Sequence, residues 1–176
     1  MNKALVVTVG NDMMGDDGAG PMLAGLMRER PLADWDLLEA GNVPENHLFK
    51  IRELAPERVV IVDAADMGLG AGEIGLIDKE GIASSFLVST HTLPLNYLME
   101  AIAEFVPRVE LIGVQPEVVA FGYPVSPQVR LAVERIHAWL ERTEEAAGDE
   151  LSNLADHMDP TSGGAGPAAP RLQEKM

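Results

Sequence analysis

Two short runs of almost uninterrupted apolar residues constrain the fold of this chain most. Residues 4–10 and 58–64 are rich in valine, and each ends where glycine or acidic residues begin. Such runs are typical of strands that are covered on both faces, as in parallel sheets. Segments with helical spacing separate the strand-like runs, and this alternation predicts an α/β fold.

The remaining segments extend the same alternation. Further strands are predicted at residues 36–40, 73–78 and 109–114, and helices at 21–30, 46–54, 94–105 and from 126 onward. The last helix has one apolar face, formed by Val129, Val133, Ile136 and Leu140. We therefore predict a three-layer α/β sandwich, in which a mostly parallel, twisted sheet of about five strands has helices on both faces.

The composition changes near the end of the last predicted helix. Residues 144–176 contain seven acidic and two basic residues and a stretch rich in glycine and proline. Such a segment buries too little apolar surface to offset the entropy lost on ordering. We expect one folded domain at residues 1–143 and a disordered, acidic, Gly/Pro-rich tail at residues 144–176.

Charge and cysteine content exclude several classes of protein. The chain has 28 acidic and 13 basic residues, a formal net charge of −15, and no cysteine. Binding of nucleic acid normally requires a basic surface, and a spanning helix requires about 20 apolar residues. Neither is present, and the first apolar run is too short for a secretory signal. We expect a cytoplasmic protein without membrane insertion, without nucleic acid and without a thiolate nucleophile or Cys-based metal site.

A glycine-rich loop at residues 10–21 joins the first strand to the first helix. Such loops often bind phosphate, but this one lacks the G-x-G-x-x-G and G-K-[ST] patterns and contains three carboxylates. Asp16 and Asp17 are therefore candidates to face a cation. The alternative is that an aspartate caps the helix N-terminus, and the residues alone leave both interpretations open.

Two more candidates follow later in the chain. Asp63 ends the second apolar run, and a buried carboxylate there requires a cation, a metal or a set of hydrogen-bond donors. Asp66 fits the simpler role of accepting hydrogen bonds from loop amides. His91 lies in the loop before the helix at Pro94. Two carboxylates and one imidazole suit a first-row divalent ion such as nickel or zinc.

Other catalytic patterns are absent from the sequence. There is no H-E-x-x-H zinc motif and no G-x-S-x-G nucleophile elbow. The other three histidines are interpreted as structural or surface residues: His47, His137 and His157.

Five ordered blocks between about residue 3 and residue 142 resemble hydrogenase maturation endopeptidases. The strongest blocks are residues 9–21, 60–68 and 89–98, and residues 40–46 and 111–117 add weaker matches in the same order. The motifs Met-Met, Pro-Glu-Asn and His-x-x-Pro-Leu-Asn-Tyr are most similar to those of the formate-hydrogenlyase-type members. One departure is Glu-Ala-Gly-Asn at residues 39–42, where many relatives have Asp-Gly-Gly-Thr.

The resemblance implies a peptidase that removes a C-terminal extension from the large-subunit precursor of a nickel–iron hydrogenase after nickel insertion. It implies that Asp17, Asp63 and His91 are both the catalytic residues and the ligands of nickel, which the precursor carries. Asp16 matches a position that is acidic in the family without being the usual ligand. We expect a monomeric hydrolase of the aspartyl protease type, with the large-subunit precursor as its partner.

The chemical step and two rival functions stay open at this point. The nickel could act as a Lewis acid, or a carboxylate could act as a general base toward water. One rival is a phospho-receiver-like signalling domain, although the segment at residues 114–117 lacks the expected lysine. The other is a nickel-binding chaperone without catalysis.

Overall fold

The computed structural model describes residues 4–77 and 95–142, and the backbone of residues 88–89. The strands are β1 (Ala4–Val9), β2 (Trp35–Gly41), β3 (Arg58–Asp66), β4 (Ile74–Ile77), β5 (Val88–Ser89) and β6 (Arg108–Val114). The helices are α1 (Ala19–Glu29), α2 (Leu48–Leu54), α3 (Leu95–Ala103) and α4 (Pro127–Arg142), with 3₁₀ turns at Gly15–Gly18 and Pro44–His47.

The main sheet has the strand order β2-β1-β3-β6-β4. The first four strands in this order are parallel, and β4 is antiparallel to β6. The two-residue strand β5 pairs antiparallel with the end of β3, where Ser89 lies opposite Ala65. The structure confirms the predicted mostly parallel sheet.

Alternating side chains send each strand's apolar residues into two separate cores. On one face, Val6 and Val62 pack with apolar residues of α1 and α4. On the other face, Val7 and Ile61 pack with α2 and α3. This arrangement confirms helices on both faces of the sheet, and it explains the apolar runs at residues 4–7 of β1 and 59–62 of β3.

The element boundaries differ modestly from the predicted ones. The segment before α2 is a separate 3₁₀ turn that starts at Pro44, and β3 continues to Asp66. In the described part of the chain, no helix is long and apolar enough to cross a membrane. The predicted tail at residues 144–176 lies outside the described residues.

Candidate active site

The carboxyl ends of β1, β3 and β6 meet at one edge of the sheet, where α/β proteins usually bind ligands. Asp63 lies on β3 near this edge, opposite Gly113 of β6 and one residue beyond the pair of Thr8 and Val62. Its side chain is completely buried. Because side chains alternate along a strand, Asp63 shares the sheet face of Ile61, which is covered by α2 and α3.

Asp17 lies in the 3₁₀ turn that follows β1. Its side chain is only 4% exposed, and its Oδ2 atom accepts a hydrogen bond from the Asn11 N–H at 2.9 Å. The Asp17 carbonyl lies so close to Gly10 that a Cβ atom on Gly10 would be 2.0 Å from its oxygen. Gly10 also has φ +130°, a conformation that favours glycine. The 3₁₀ turn that contains Asp17 contacts β3 as well.

The structure thus places Asp17 in the turn after β1 and Asp63 in the last part of the neighbouring strand β3, at the same edge of the sheet. Taking a carboxylate out of water costs several kcal/mol unless charge or hydrogen bonding compensates for it. We call Asp17 and Asp63 together the acidic centre. This centre can bind a cation, or one carboxylate can accept a proton from water.

Asp16 has a different environment from its neighbour. Its carboxylate accepts hydrogen bonds from the backbone N–H groups of Glu117, Val118 and Ser126 and from the Ser126 hydroxyl, at 2.6–3.1 Å. Asp16 therefore fastens the first loop to the segment after β6. Neither aspartate is the N-cap of α1. The N-cap is Gly18, which has no side chain that could cap the helix.

Gln115 holds the loop after β3 and was not singled out in the sequence. Its Oε1 atom accepts hydrogen bonds from the N–H groups of Met67 and Leu69, and its Nε2 donates to Asp66. Two hydrogen bonds lower the pKa of Asp66: the larger effect comes from the Gly68 N–H and the smaller from the Gln115 side chain. Asp66 thus accepts a hydrogen bond from a loop amide, as expected of its simpler interpretation.

Two of the four histidines can be assigned a place. His137 is buried and its Nε2 bonds the carbonyl oxygen of Arg30 at 2.9 Å, so the structural interpretation is confirmed. His47 ends the second 3₁₀ turn and is partly exposed. His91 and His157 lie outside the described residues. Within residues 4–77 and 95–142, no group of three or more acidic or histidine residues could hold a metal ion, so the site that includes His91 stays a prediction.

Comparison with known proteins identifies the family. A family profile described as HycI, hydrogenase maturation protease, matches residues 22–143. The chain belongs to the hydrogenase maturation protease family. It is 45% identical to the hydrogenase 3 maturation protease of Escherichia coli K12, over 82% of this chain and 92% of the relative.

Solved structures of hydrogenase maturation proteases have the same fold. The solution structure of the endopeptidase HycI from Escherichia coli matches with a TM-score of 0.75 at 44% identity, covering 83% of this chain and 94% of that one. The [NiFe] hydrogenase maturation protease HycI from Thermococcus kodakarensis gives a TM-score of 0.72 at 29% identity, covering 82% and 94%.

These likenesses confirm several predictions from the sequence. The family, the likeness to formate-hydrogenlyase-type members and the α/β fold are confirmed. The protein is an endopeptidase, that is, a hydrolase. Both rival functions, the phospho-receiver domain and the chaperone without catalysis, are therefore wrong.

Proposed function

We propose that this hydrogenase maturation protease removes the C-terminal extension of a nickel-loaded nickel–iron hydrogenase large-subunit precursor. Asp17, Asp63 and His91 bind the nickel that the precursor carries, and the same three residues form the cleavage site. The proposal rests mainly on one observation: two buried aspartates lie at the carboxyl edge of the sheet, Asp17 in the turn after β1 and Asp63 in the last part of the neighbouring strand β3.

The chain path on either side of His91 supports its part in the site. Ser89 lies opposite Ala65, two residues beyond Asp63 on β3, and two residues of extended chain span about 7 Å. On the other side, Leu95 begins α3, the helix that covers the sheet face of Asp63. Since α3 leads into β6, which is parallel to β3, its first residue faces the carboxyl edge. Both described flanking segments therefore lie at this edge, and this supports the choice of His91 as the third residue of the proposed site.

The proposed ligand atoms are of a kind that binds nickel. Carboxylate oxygens and an imidazole nitrogen are ligands that first-row divalent ions such as nickel accept. In this scheme Asp17 and Asp63 each contribute a carboxylate oxygen to the nickel. The precursor's nickel is part of the substrate in this scheme, so the protease needs no resident metal.

The reaction is hydrolysis of one peptide bond. Water adds to the scissile carbonyl carbon, the carbon–nitrogen bond breaks, and the leaving amine gains a proton. Asp17 or Asp63 takes the proton from water if the protease is of the aspartyl type; if the precursor's nickel polarises the carbonyl instead, the carboxylates act as its ligands. In either case binding of nickel positions the scissile bond, so that cleavage follows metal insertion.

The proposal includes the location, oligomeric state and partner of the protein. The protein works in the cytoplasm as a monomer, with the large-subunit precursor as its partner. The net charge of −15 and the absence of cysteine are compatible with this setting.

Three single substitutions test the site. Asp17→Asn, Asp63→Asn and His91→Ala are each expected to slow cleavage of the precursor by roughly a hundredfold or more, because each removes a nickel ligand or proton acceptor. Asp34→Asn, which alters an exposed aspartate before β2, and His47→Ala are the controls and should keep full activity. Circular dichroism verifies that each variant is folded. Full activity in all three site variants would remove Asp17, Asp63 and His91 from the mechanism.

A further inference from the structure

Large apolar side chains are exposed in two loops at the carboxyl edge of the sheet. One loop follows β1 and the other follows β6, and we call their exposed apolar side chains the apolar rim: Met13, Val118, Val119, Phe121 and Tyr123. Phe121 is 71% exposed and Tyr123 is 57% exposed. Single exposed apolar residues are common on proteins, but a cluster of them typically marks an interaction surface.

Backbone hydrogen bonds join the two loops into one surface. The N–H of Gly122 donates to the carbonyl of Met13 at 2.9 Å. The N–H of Asp16 donates to the carbonyl of Val118, also at 2.9 Å. The apolar rim is therefore a single patch on a fixed backbone.

The same contacts connect the apolar rim with the acidic centre. Met13 and Asp16 belong to the short loop that carries Asp17, and the Asp16 carboxylate binds the backbone of Val118. An endopeptidase has to receive a polypeptide at its site, so a surface continuous with that site will meet the substrate protein.

The apolar rim is also prepared for binding. The Asp16 hydrogen bonds fix the loop after β6, so that little entropy is lost when a partner docks. Aromatic side chains such as Phe121 and Tyr123 are the kind that dominate binding energy at protein interfaces. Asp12 and Glu117 are exposed beside the rim. A partner with an apolar centre and basic margins would complement both features.

We propose that the apolar rim is the docking surface for the folded body of the substrate protein. The occupant is an apolar patch on the hydrogenase large-subunit precursor, bordered by basic residues. This inference rests on the proposed function, because it assumes that the precursor is the polypeptide received at the acidic centre. It adds a recognition surface that does not depend on nickel.

Steady-state cleavage of purified precursor by the full-length chain tests the inference. The double variant Phe121→Ser/Tyr123→Ser is expected to raise KM roughly thirtyfold, because it removes two interface anchors, while kcat stays within about twofold. The matched control is Phe49→Ser/Leu131→Ser, which removes side chains that are 79% and 66% exposed on α2 and α4. The control should leave both constants unchanged.

A conservative variant and a binding measurement complete the test. The double variant Phe121→Leu/Tyr123→Phe should bind the precursor almost as tightly as the wild-type chain does. Its side chains are different from the native ones but keep most of the apolar area that the double serine variant loses. Calorimetric titration of the wild-type chain with nickel-free precursor should detect binding that the double serine variant lacks. Thermal unfolding should give the same Tm for all variants, since the substituted side chains are exposed.

The possible outcomes separate this inference from the proposed function. If the wild-type chain cleaves the precursor and the double serine variant has an unchanged KM, the docking surface is wrong and the proposed function stands. If the wild-type chain does not cleave the precursor, both fail. If sedimentation shows that the wild-type chain self-associates through Phe121 and Tyr123 while KM is unaffected by their loss, the rim is a contact between copies and the proposal is overturned.

Discussion

Asp16 and Asp17 are adjacent in the chain, yet their carboxylates have different surroundings. Asp16 binds N–H groups more than 100 residues away, at Glu117, Val118 and Ser126. A local sequence pattern cannot predict hydrogen-bond partners that are so distant in the chain. The residues alone therefore left both aspartates as candidates, and only the family resemblance selected Asp17. The hydrogen bonds of Asp16 now explain why an acidic residue is needed there for structural reasons.

The difference between the two aspartates predicts different costs of substitution. Asp16→Asn places an amide where the carboxylate accepts several hydrogen bonds, and we expect the free energy of unfolding to fall by about 3 kcal/mol. Asp12→Asn, which alters an exposed residue of the same loop, should change stability by less than about 0.5 kcal/mol. Urea unfolding at neutral pH measures both values. Equal stability of the two variants would show that Asp16 does not fasten the loop after β6.

At the scale of elements, hydrophobic patterning predicted most of the helices and strands. Val129, Val133, Ile136 and Leu140 are all buried, as the predicted face of α4 requires. The pairing of β5 with the end of β3 was not predicted, because a two-residue strand has no periodicity of its own. The antiparallel direction of β4 was also not predicted, since local sequence does not specify the direction of an edge strand.

The close contact between α1 and β1 is possible because residue 20 is a glycine. A Cβ atom on Gly20 would lie 2.0 Å from the carbonyl oxygen of Val9, whereas a Cβ on Gly25 would meet only the end of the Arg28 side chain at 3.9 Å. Gly20→Ala is therefore expected to lower the free energy of unfolding by about 3 kcal/mol.

The matched variant in the same helix is Gly25→Ala. It should raise the free energy of unfolding by roughly 0.5–1 kcal/mol, because alanine favours helix over glycine. Chemical denaturation of both variants provides the comparison. If Gly20→Ala were as stable as Gly25→Ala, the close approach of α1 to β1 would not be a constraint on the fold.

In the molecule as a whole, the two edges of the sheet have different roles. The carboxyl edge carries Asp17 and Asp63, whereas the start of β3 carries a largely buried ion pair between Arg58 Nε and Glu110 Oε2 at 2.8 Å. The Arg58 guanidinium lies over the rings of Trp35 and Trp139. Burial lowers the pKa of Arg58, and Glu110 opposes that shift. This second cluster joins β2, β3, β6 and α4 and is expected to serve stability.

Removal of one partner should expose that role. Glu110→Gln leaves the largely buried Arg58 charge beside a neutral group, and we expect a loss of about 3 kcal/mol in stability. The surface pair Lys50–Glu53 provides the control, since Glu53→Gln should cost less than about 0.5 kcal/mol. Thermal unfolding of both variants gives the comparison, and precursor cleavage by folded Glu110→Gln should be normal. A stability loss no larger than that of Glu53→Gln would contradict the role assigned to this ion pair.

The fold and the site were not equally accessible from the sequence. Alternating strands and helices specified the layers, and the rule that ligands bind at carboxyl ends of strands selected the region of Asp17 and Asp63. Strand order and register could not be derived, because they depend on which apolar faces pack together. Gln115 was missed for the same reason: its partners Met67 and Leu69 are far away in the chain.

Cleavage of nickel-loaded and nickel-free precursor by the same preparation of this protein tests the central claim most directly. Both precursors are incubated with the full-length chain at equal concentration, and loss of the C-terminal extension is followed by mass spectrometry. If Asp17, Asp63 and His91 hold the precursor's nickel during cleavage, only the loaded precursor should be shortened. Equal rates of cleavage for the two precursors would contradict the account.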